Sequence, residues 1–391
     1  MALAHRGMAS IEAHRFDEAE DALRAALAVA EEGFEDVAFA ANVWLVSTLV
    51  TRNRLVEAEL VIQRAMALAA QIDDAANRAI LWSFVAFIHN WAARFDQAME
   101  AVQRWWAVAA DSPVWHPLLT CGWLEGMARA GKGEYRQALA VVRDTLALCE
   151  RIGDYHARGS CLNVLGWIHG ELQDHEGAVD LNSQSLRSAL KRKSPDPECQ
   201  HNARLNLGDS LMALGRLDEA AEQFQIVERT VRRPQPHEHY MLWRYSQHLF
   251  HSYGELRLAR GDHDRAFALA GECLALAESS DSKKNIVKAR RLRSQVLLAR
   301  GKPEEATPEI EAALTMARKV GNPPQLWRTL TAFGDLLRAN GSGEEAGQAY
   351  REALLVIETV AAALDDPALS NIFLSSEQVK RVRHQAGCGA D

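Results

Sequence analysis

Small and polar positions follow a repeating order along this chain. A turn is followed by a short acidic or polar cluster and then by an alanine, and the phrase occurs nine times. The alanines are Ala19, Ala58, Ala98, Ala138, Ala178, Ala220, Ala266, Ala306 and Ala346, separated by 39, 40, 40, 40, 42, 46, 40 and 40 residues. A fixed period of this length predicts a solenoid, because one unit cannot bury its apolar face without stacking on its neighbours. Twelve residues before each alanine stands a second small residue: Gly7, Gly126, Gly166, Gly208, Gly254 and Gly334, with Val46, Ala86 and Ser294 in the other repeats. Two small markers on consecutive helices let the backbones approach closely, so each unit reads as helix A, a short turn and an antiparallel helix B.

Local signals agree. Glycines in the turns (Gly215, Gly261, Gly301, Gly341) suit the residue just past a helix end. Acidic pairs such as Asp17-Glu18 and Glu304-Glu305 suit the positive N-terminus of helix B. Pro113, Pro117, Pro195, Pro197, Pro234, Pro236, Pro323 and Pro324 fall in expected connections. Pro303 falls in an A–B turn and Pro308 in the first turn of a helix B, where proline is tolerated.

The pattern resembles the tetratricopeptide repeat over residues 1–360, although the period departs from that family's shorter one. The longer spacing resembles the variant behind bacterial signalling ATPases and MalT-like transcription activators, as do Gly153-Asp154-Tyr155-His156-Ala157-Arg158-Gly159 and Gly321-Asn322-Pro323-Pro324-Gln325-Leu326-Trp327. The resemblance implies an all-α, right-handed superhelical solenoid of nine helix-turn-helix repeats whose A helices line the concave side. Beyond residue 360, Leu364-Asp365-Asp366-Pro367 breaks the last helix. Residues 361–384 are expected to form a C-terminal cap, with one amphipathic helix over Ala368–His384, and residues 385–391 a disordered tail.

Composition adds bounds. Apolar residues make up 48% of the 391, ample for burial. With no long uninterrupted apolar stretch and no secretory layout at the start, neither a membrane partner nor export is expected. Six cysteines (Cys121, Cys149, Cys161, Cys199, Cys273, Cys388) without a C-x-x-C pair suit free thiols in a reducing cytoplasm. Gly7 already occupies the helix A marker, so no capping element precedes the first repeat. This leads to the expectation of a lost preceding segment, such as an ATPase domain, or of self-association through the side of Leu3, Ile11, Leu23 and Leu27.

Signals for catalysis are weak. Residues Gly126–Gly133 nearly spell a phosphate loop, but glycine replaces the hydroxyl that would hold magnesium, and Gly126 is a helix marker. His248 and His251 are three apart on one helical face near His237 and His239, yet only Glu255 could extend a ligand set. No catalytic residue, metal site or cofactor is assigned, and the chain is read as a non-enzyme. Seven of the ten tryptophans lie between Trp44 and Trp123. Most are expected in the core between repeats, with Trp123 and Trp167 facing the channel.

Charge points to the carboxyl half. Residues 240–300 carry eleven Lys/Arg against six Asp/Glu, while the whole chain carries −8. On the tetratricopeptide register, positions eighteen, fifteen and eleven before the marker alanine face the channel. In the later repeats these are Asn202, Leu205 and Asp209; His248, His251 and Glu255; Lys288, Arg291 and Gln295; Arg328, Thr331 and Asp335. Asn163 and Trp167 hold the last two of these positions in the fifth repeat. Such a ladder suits the backbone or carboxylate of an extended peptide. The corresponding residues of the second and third repeats are mostly apolar (Ala40, Val43, Ser47; Ile80, Ser83, Phe87), so the channel is expected to run from greasy to charged. The 46-residue step places an insertion near residues 232–239, where repeat proteins often extend a loop beside the binding face.

These readings converge on a module that binds a peptide or protein partner, as the sensor or scaffold part of a larger regulator. The alternative is a sensor for an anionic small-molecule effector. Direct nucleic-acid binding is disfavoured by the negative overall charge and the absence of a recognisable DNA-binding motif.

Overall fold

The computed structural model describes residues 1–30, 33–109, 115–191 and 196–387. Pro113, Pro195, Cys388 and the last four residues of the expected tail lie outside them, as does the side chain of Trp115.

The structure is all-α. Nine antiparallel pairs follow one another: α1 (Ala2–Glu12) with α2 (Phe16–Val29), α3 (Glu35–Thr51) with α4 (Leu55–Ala69), and α5 (Ala75–Trp91) with α6 (Phe95–Ala109). Next come α7 (Trp115–Lys132) with α8 (Tyr135–Ile152), α9 (Tyr155–Glu171) with α10 (His175–Leu190), and α11 (Pro197–Ala213) with α12 (Leu217–Arg232). The last three pairs are α13 (Leu242–Ala259) with α14 (His263–Ser279), α15 (Lys283–Ala299) with α16 (Pro303–Val320), and α17 (Pro323–Ala339) with α18 (Gly343–Ala362). Two short helices, α19 (Pro367–Ser375) and α20 (Glu377–Gln385), close the far end.

All nine marker alanines are fully buried where helix B meets its helix A. The small residue on helix A does not face that alanine alone. A Cβ on Gly208 would stand 2.4 Å from the Phe224 ring, and one on Gly334 would stand 2.8 Å from the Tyr350 ring. The partner is therefore the side chain one turn beyond the alanine, and the missing Cβ makes room for it. The A–B turn is equally regular. Five residues before each alanine the backbone is left-handed: Gly133, Gly215, Gly261, Gly301 and Gly341, and also His14, Asn53, Ala93 and Gln173 at φ of 57°, 62°, 54° and 63°. The turn imposes the conformation whether or not the residue is a glycine.

Several expectations need correction. The last helix is two helices, because Ser376 leaves the helical region (φ −64°, ψ 149°) and caps α20 by accepting from the Val379 amide. Gln385 ends α20 and Ala386 is buried, so the loose tail does not begin at 385. Pro308 lies in the second turn of α16, with Pro303 at its first position. Pro117, Pro197, Pro323 and Pro324 lie in the first turns of α7, α11 and α17 rather than in connections. The near-phosphate loop is helix and turn, with Gly126 packed against Val142 and Gly131 against the Phe95 ring.

The superhelix closes on itself. The Trp243 indole N–H donates to the Val50 carbonyl at 2.9 Å, and the Asn322 amide donates to the Gly131 carbonyl at 3.0 Å. Arg136 pairs with Asp365 at 2.8 Å. One hydrophobic cluster joins the first three repeats to Met241 and Trp243, and another joins residues 119–172 to the ninth repeat and the two closing helices. The insertion after α12 contributes to this closure instead of standing free. It forms a 3₁₀ turn over Pro236–His239, beyond which Tyr240 packs on Phe16 with ring centroids 6.4 Å apart, while His237 lies 6.4 Å from His14.

Candidate functional site

Closure turns the concave channel into a cavity of about 680 Å³ bounded by the A helices of the later repeats and the near wall of α5, α7 and α9. All thirteen groove residues expected from the sequence line it. Leu205, in the same register, is buried in the core and does not. Of the two tryptophans expected there, Trp167 lines the cavity, while Trp123 packs between two core clusters and Trp91 and Trp327 take part instead.

The greasy end of the channel is filled by the chain itself. Phe87 and Trp91 stack at 5.8 Å, Trp243 meets Trp91 edge-on at 5.4 Å, and the Arg244 guanidinium lies 4.9 Å from the centroid of Trp91. Arg244 also pairs with Glu198. The open volume therefore belongs to the charged end.

Most carboxylates there are already matched. His248 Nε2 contacts Asp209 at 2.7 Å, Arg328 lies 3.8 Å from Glu171, and Asp335 accepts from the Tyr350 hydroxyl at 2.7 Å and pairs with Arg381 of α20. Burial opposes ionisation of Glu171, but Arg328, Lys288, Lys284 and Arg291 outweigh it and hold the carboxyl below its usual range. Asp209 behaves likewise, with burial outweighed by His248 and Lys288. Glu255 goes the other way, because burial raises its pKa and Arg291 only partly offsets it. His251 is pushed well below its ordinary value by burial and then by Lys288 and Arg291, so it stays neutral.

The basic run divides by helix face. Arg290 pairs with Glu278 and Glu309 at 3.1 Å, and Arg293 with Glu309 at 2.7 Å, all away from the cavity. Arg291 is 3% exposed and donates to the side chains of Gln325 and Thr329 at 3.0 and 3.2 Å. It holds α15 to α17, so its role is in part structural. Lys284 and Lys288 differ: among the described residues no ion pair joins either to a carboxylate. The Lys284 ammonium sits 4.7 Å from the Trp167 ring centroid, and burial followed by Lys288 pushes its pKa down to about 8.

The expected histidine cluster is split. His248 and His251 line the cavity, whereas His237 faces His14 on the closure contact. Among the described residues no three His, Cys, Asp or Glu side chains converge as a metal-ligand set. No helix among them is long and apolar enough to cross a membrane.

Glu171, Arg244 and Lys284 are cavity residues that the register did not select. Arg244 and Lys284 stand twenty-two residues before their marker alanines, one turn N-terminal of the ladder and on the same helical face. Extending the ladder by four residues would have found them.

Comparison with known proteins agrees with this architecture. Residues 121–191 and residues 163–235 match models of the tetratricopeptide repeat. No curated protein matches the sequence. A Rap protein complexed with competence and sporulation factor superposes with a TM-score of 0.67 at 13% identity, covering 93% of this chain and 98% of that one. The apo form of RapI gives 0.51 at 10% identity, covering 92% and 98%. A signal-transduction ATPase with a tetratricopeptide sensor from Pyrococcus horikoshii gives 0.46 at 15% identity, covering 92% and 54%. At these identities the likeness to the two Rap proteins is one of fold. The chain is an all-α solenoid like those of tetratricopeptide repeats, wound tightly around a polar cavity.

Proposed function

We propose that this chain is a non-enzymatic binding module that holds a short peptide, or the end of a partner protein's chain, inside the superhelix. The observation that carries the reading is the cavity itself. Its 680 Å³ lies within the ~300–1,000 Å³ of ligand sites, and it combines aromatic walls with convergent polar groups. Nearly every acid–base pair in it is internally engaged, which suits recognition better than proton transfer. The thirteen groove residues are the proposed contacts. The Rap protein of similar fold is itself complexed with a factor, which adds support for a ligand-bound state. Within this reading the module senses its ligand in the cytoplasm for a larger signalling or transcription regulator.

A second reading, a small-molecule effector sensor, is favoured by closure, since a cavity of about 680 Å³ suits a compact ligand better than a long segment. Native mass spectrometry after incubation with a desalted extract of peptides and metabolites tests both. A single bound mass of drug or short-peptide size is expected, and it should be lost in Gln295→Trp, which fills the cavity. Absence of any bound mass, or equal retention by the variant, would overturn the assignment.

A further inference from the structure

Resting on that binding-module reading, the charge arrangement inside the cavity narrows the ligand class. Asp209 contacts His248 at 2.7 Å, Glu171 lies 3.8 Å from Arg328, and Asp335 pairs with Arg381. Arg291 donates only to neutral side chains, and Lys284 and Lys288 have no carboxylate partner among the described residues. The lining holds six Lys/Arg (Arg244, Lys284, Lys288, Arg291, Arg328, Arg381) against four carboxylates (Glu171, Asp209, Glu255, Asp335), so basic side chains are in excess, and three of the six stand on one face of α15. Lys284 and Lys288 are one turn apart, which brings their stems side by side. Met127, Val164 and Trp167 of α7 and α9 line the same cavity, and the Trp167 ring centroid lies 4.7 Å from the Lys284 ammonium.

The contact of an ammonium with an aromatic face returns less than burial of the charge costs. A ligand that supplies a negative charge there removes the imbalance, and one with an apolar body also covers the aromatic wall. We propose that the cavity takes an organic anion with an apolar body, its acid group seated between Lys284 and Lys288 and its body along Trp167. A carboxylate is the common chemistry, whether it comes from a small metabolite or from the C-terminus of a peptide.

The test uses the whole chain and two fluorescent probes of similar shape, the anion 8-anilinonaphthalene-1-sulfonate and the neutral N-phenyl-1-naphthylamine. The anion is expected to bind one per chain, with energy transfer from tryptophan. Lys284→Met/Lys288→Met should weaken it about tenfold or more, as loss of two charge-assisted contacts implies. The same double variant should leave the neutral probe unchanged, and the surface change Lys302→Met should affect neither. Equal anion affinity in wild type and double variant would overturn the charge assignment while the neutral probe still reports a working cavity. Failure of both probes to bind would instead sink the binding-module reading.

Displacement then separates the sources. Naphthaleneacetate stands for a small carboxylate, and acetyl-Leu-Leu-Phe as free acid or amide stands for a peptide end. Displacement by either carboxylate supports the proposal and names its source. An amide as potent as the acid would overturn it.

Discussion

Replacing Trp243 by Phe tests whether closure of the superhelix is an energetic coupling or merely a proximity. In an open solenoid, stability is a sum over units and nearest-neighbour interfaces, so a change in the seventh repeat leaves the second untouched. Here Trp243 is 6% exposed, donates to the Val50 carbonyl at 2.9 Å and meets Trp91 edge-on at 5.4 Å. Val50 also accepts from the Asn53 amide at 3.2 Å, so its carbonyl is not orphaned, and the hydrogen-bond loss stays near ~1 kcal/mol. Phenylalanine keeps one ring against Trp91 but leaves part of the indole volume empty, a further ~1 kcal/mol or slightly more. The expected cost is about 2–3 kcal/mol in urea unfolding. Hydrogen exchange should quicken at the C-terminal end of α3 as well as in α13. Unchanged exchange in α3, or a loss below about 0.5 kcal/mol, would refute the coupling.

Three further outcomes follow from particular residues. Ala93→Gly relieves a left-handed residue at φ 54° and should stabilise the chain by about 0.5–1 kcal/mol, read by the urea midpoint. Burial lowers the pKa of His201 from 6.5 to about 4, so the unfolded chain binds the extra proton between those values and stability falls as the pH drops through them. His201→Phe, beside the Tyr245 ring, should remove up to about 3 kcal/mol of that decline, measured by unfolding at a series of pH values. An anion beside Lys284 favours the protonated amine, so affinity for the anionic probe should hold steady below pH 8 and fall as the pH rises above it. A flat profile across that range would separate Lys284 from binding.

Local rules were visible in the sequence because they recur. The buried alanine and the turn five residues before it can be read from any one repeat and checked against eight others. The ladder of channel positions was visible for the same reason: one helical face, repeated, must line one surface. Closure was not visible. Trp243 and Val50, or Asn322 and Gly131, meet across more than 190 residues and carry no periodic mark. Their meeting depends on the small rotation accumulated at each interface, which no single spacing encodes. That is why the greasy end looked like open channel, although Trp243 and Arg244 occupy it. It is also why Arg291 looked like a free ligand group, although Gln325 and Thr329 already hold it.

A ligand bound as proposed sits inside the superhelix. Hydrogen exchange, measured with and without the ligand retained in native mass spectrometry, addresses it most directly. Slower exchange is expected along α9, α11, α13, α15 and α17, with the outward α10, α12, α14 and α16 unchanged. Protection confined to the outward helices, or to the two ends of the array, would contradict that placement.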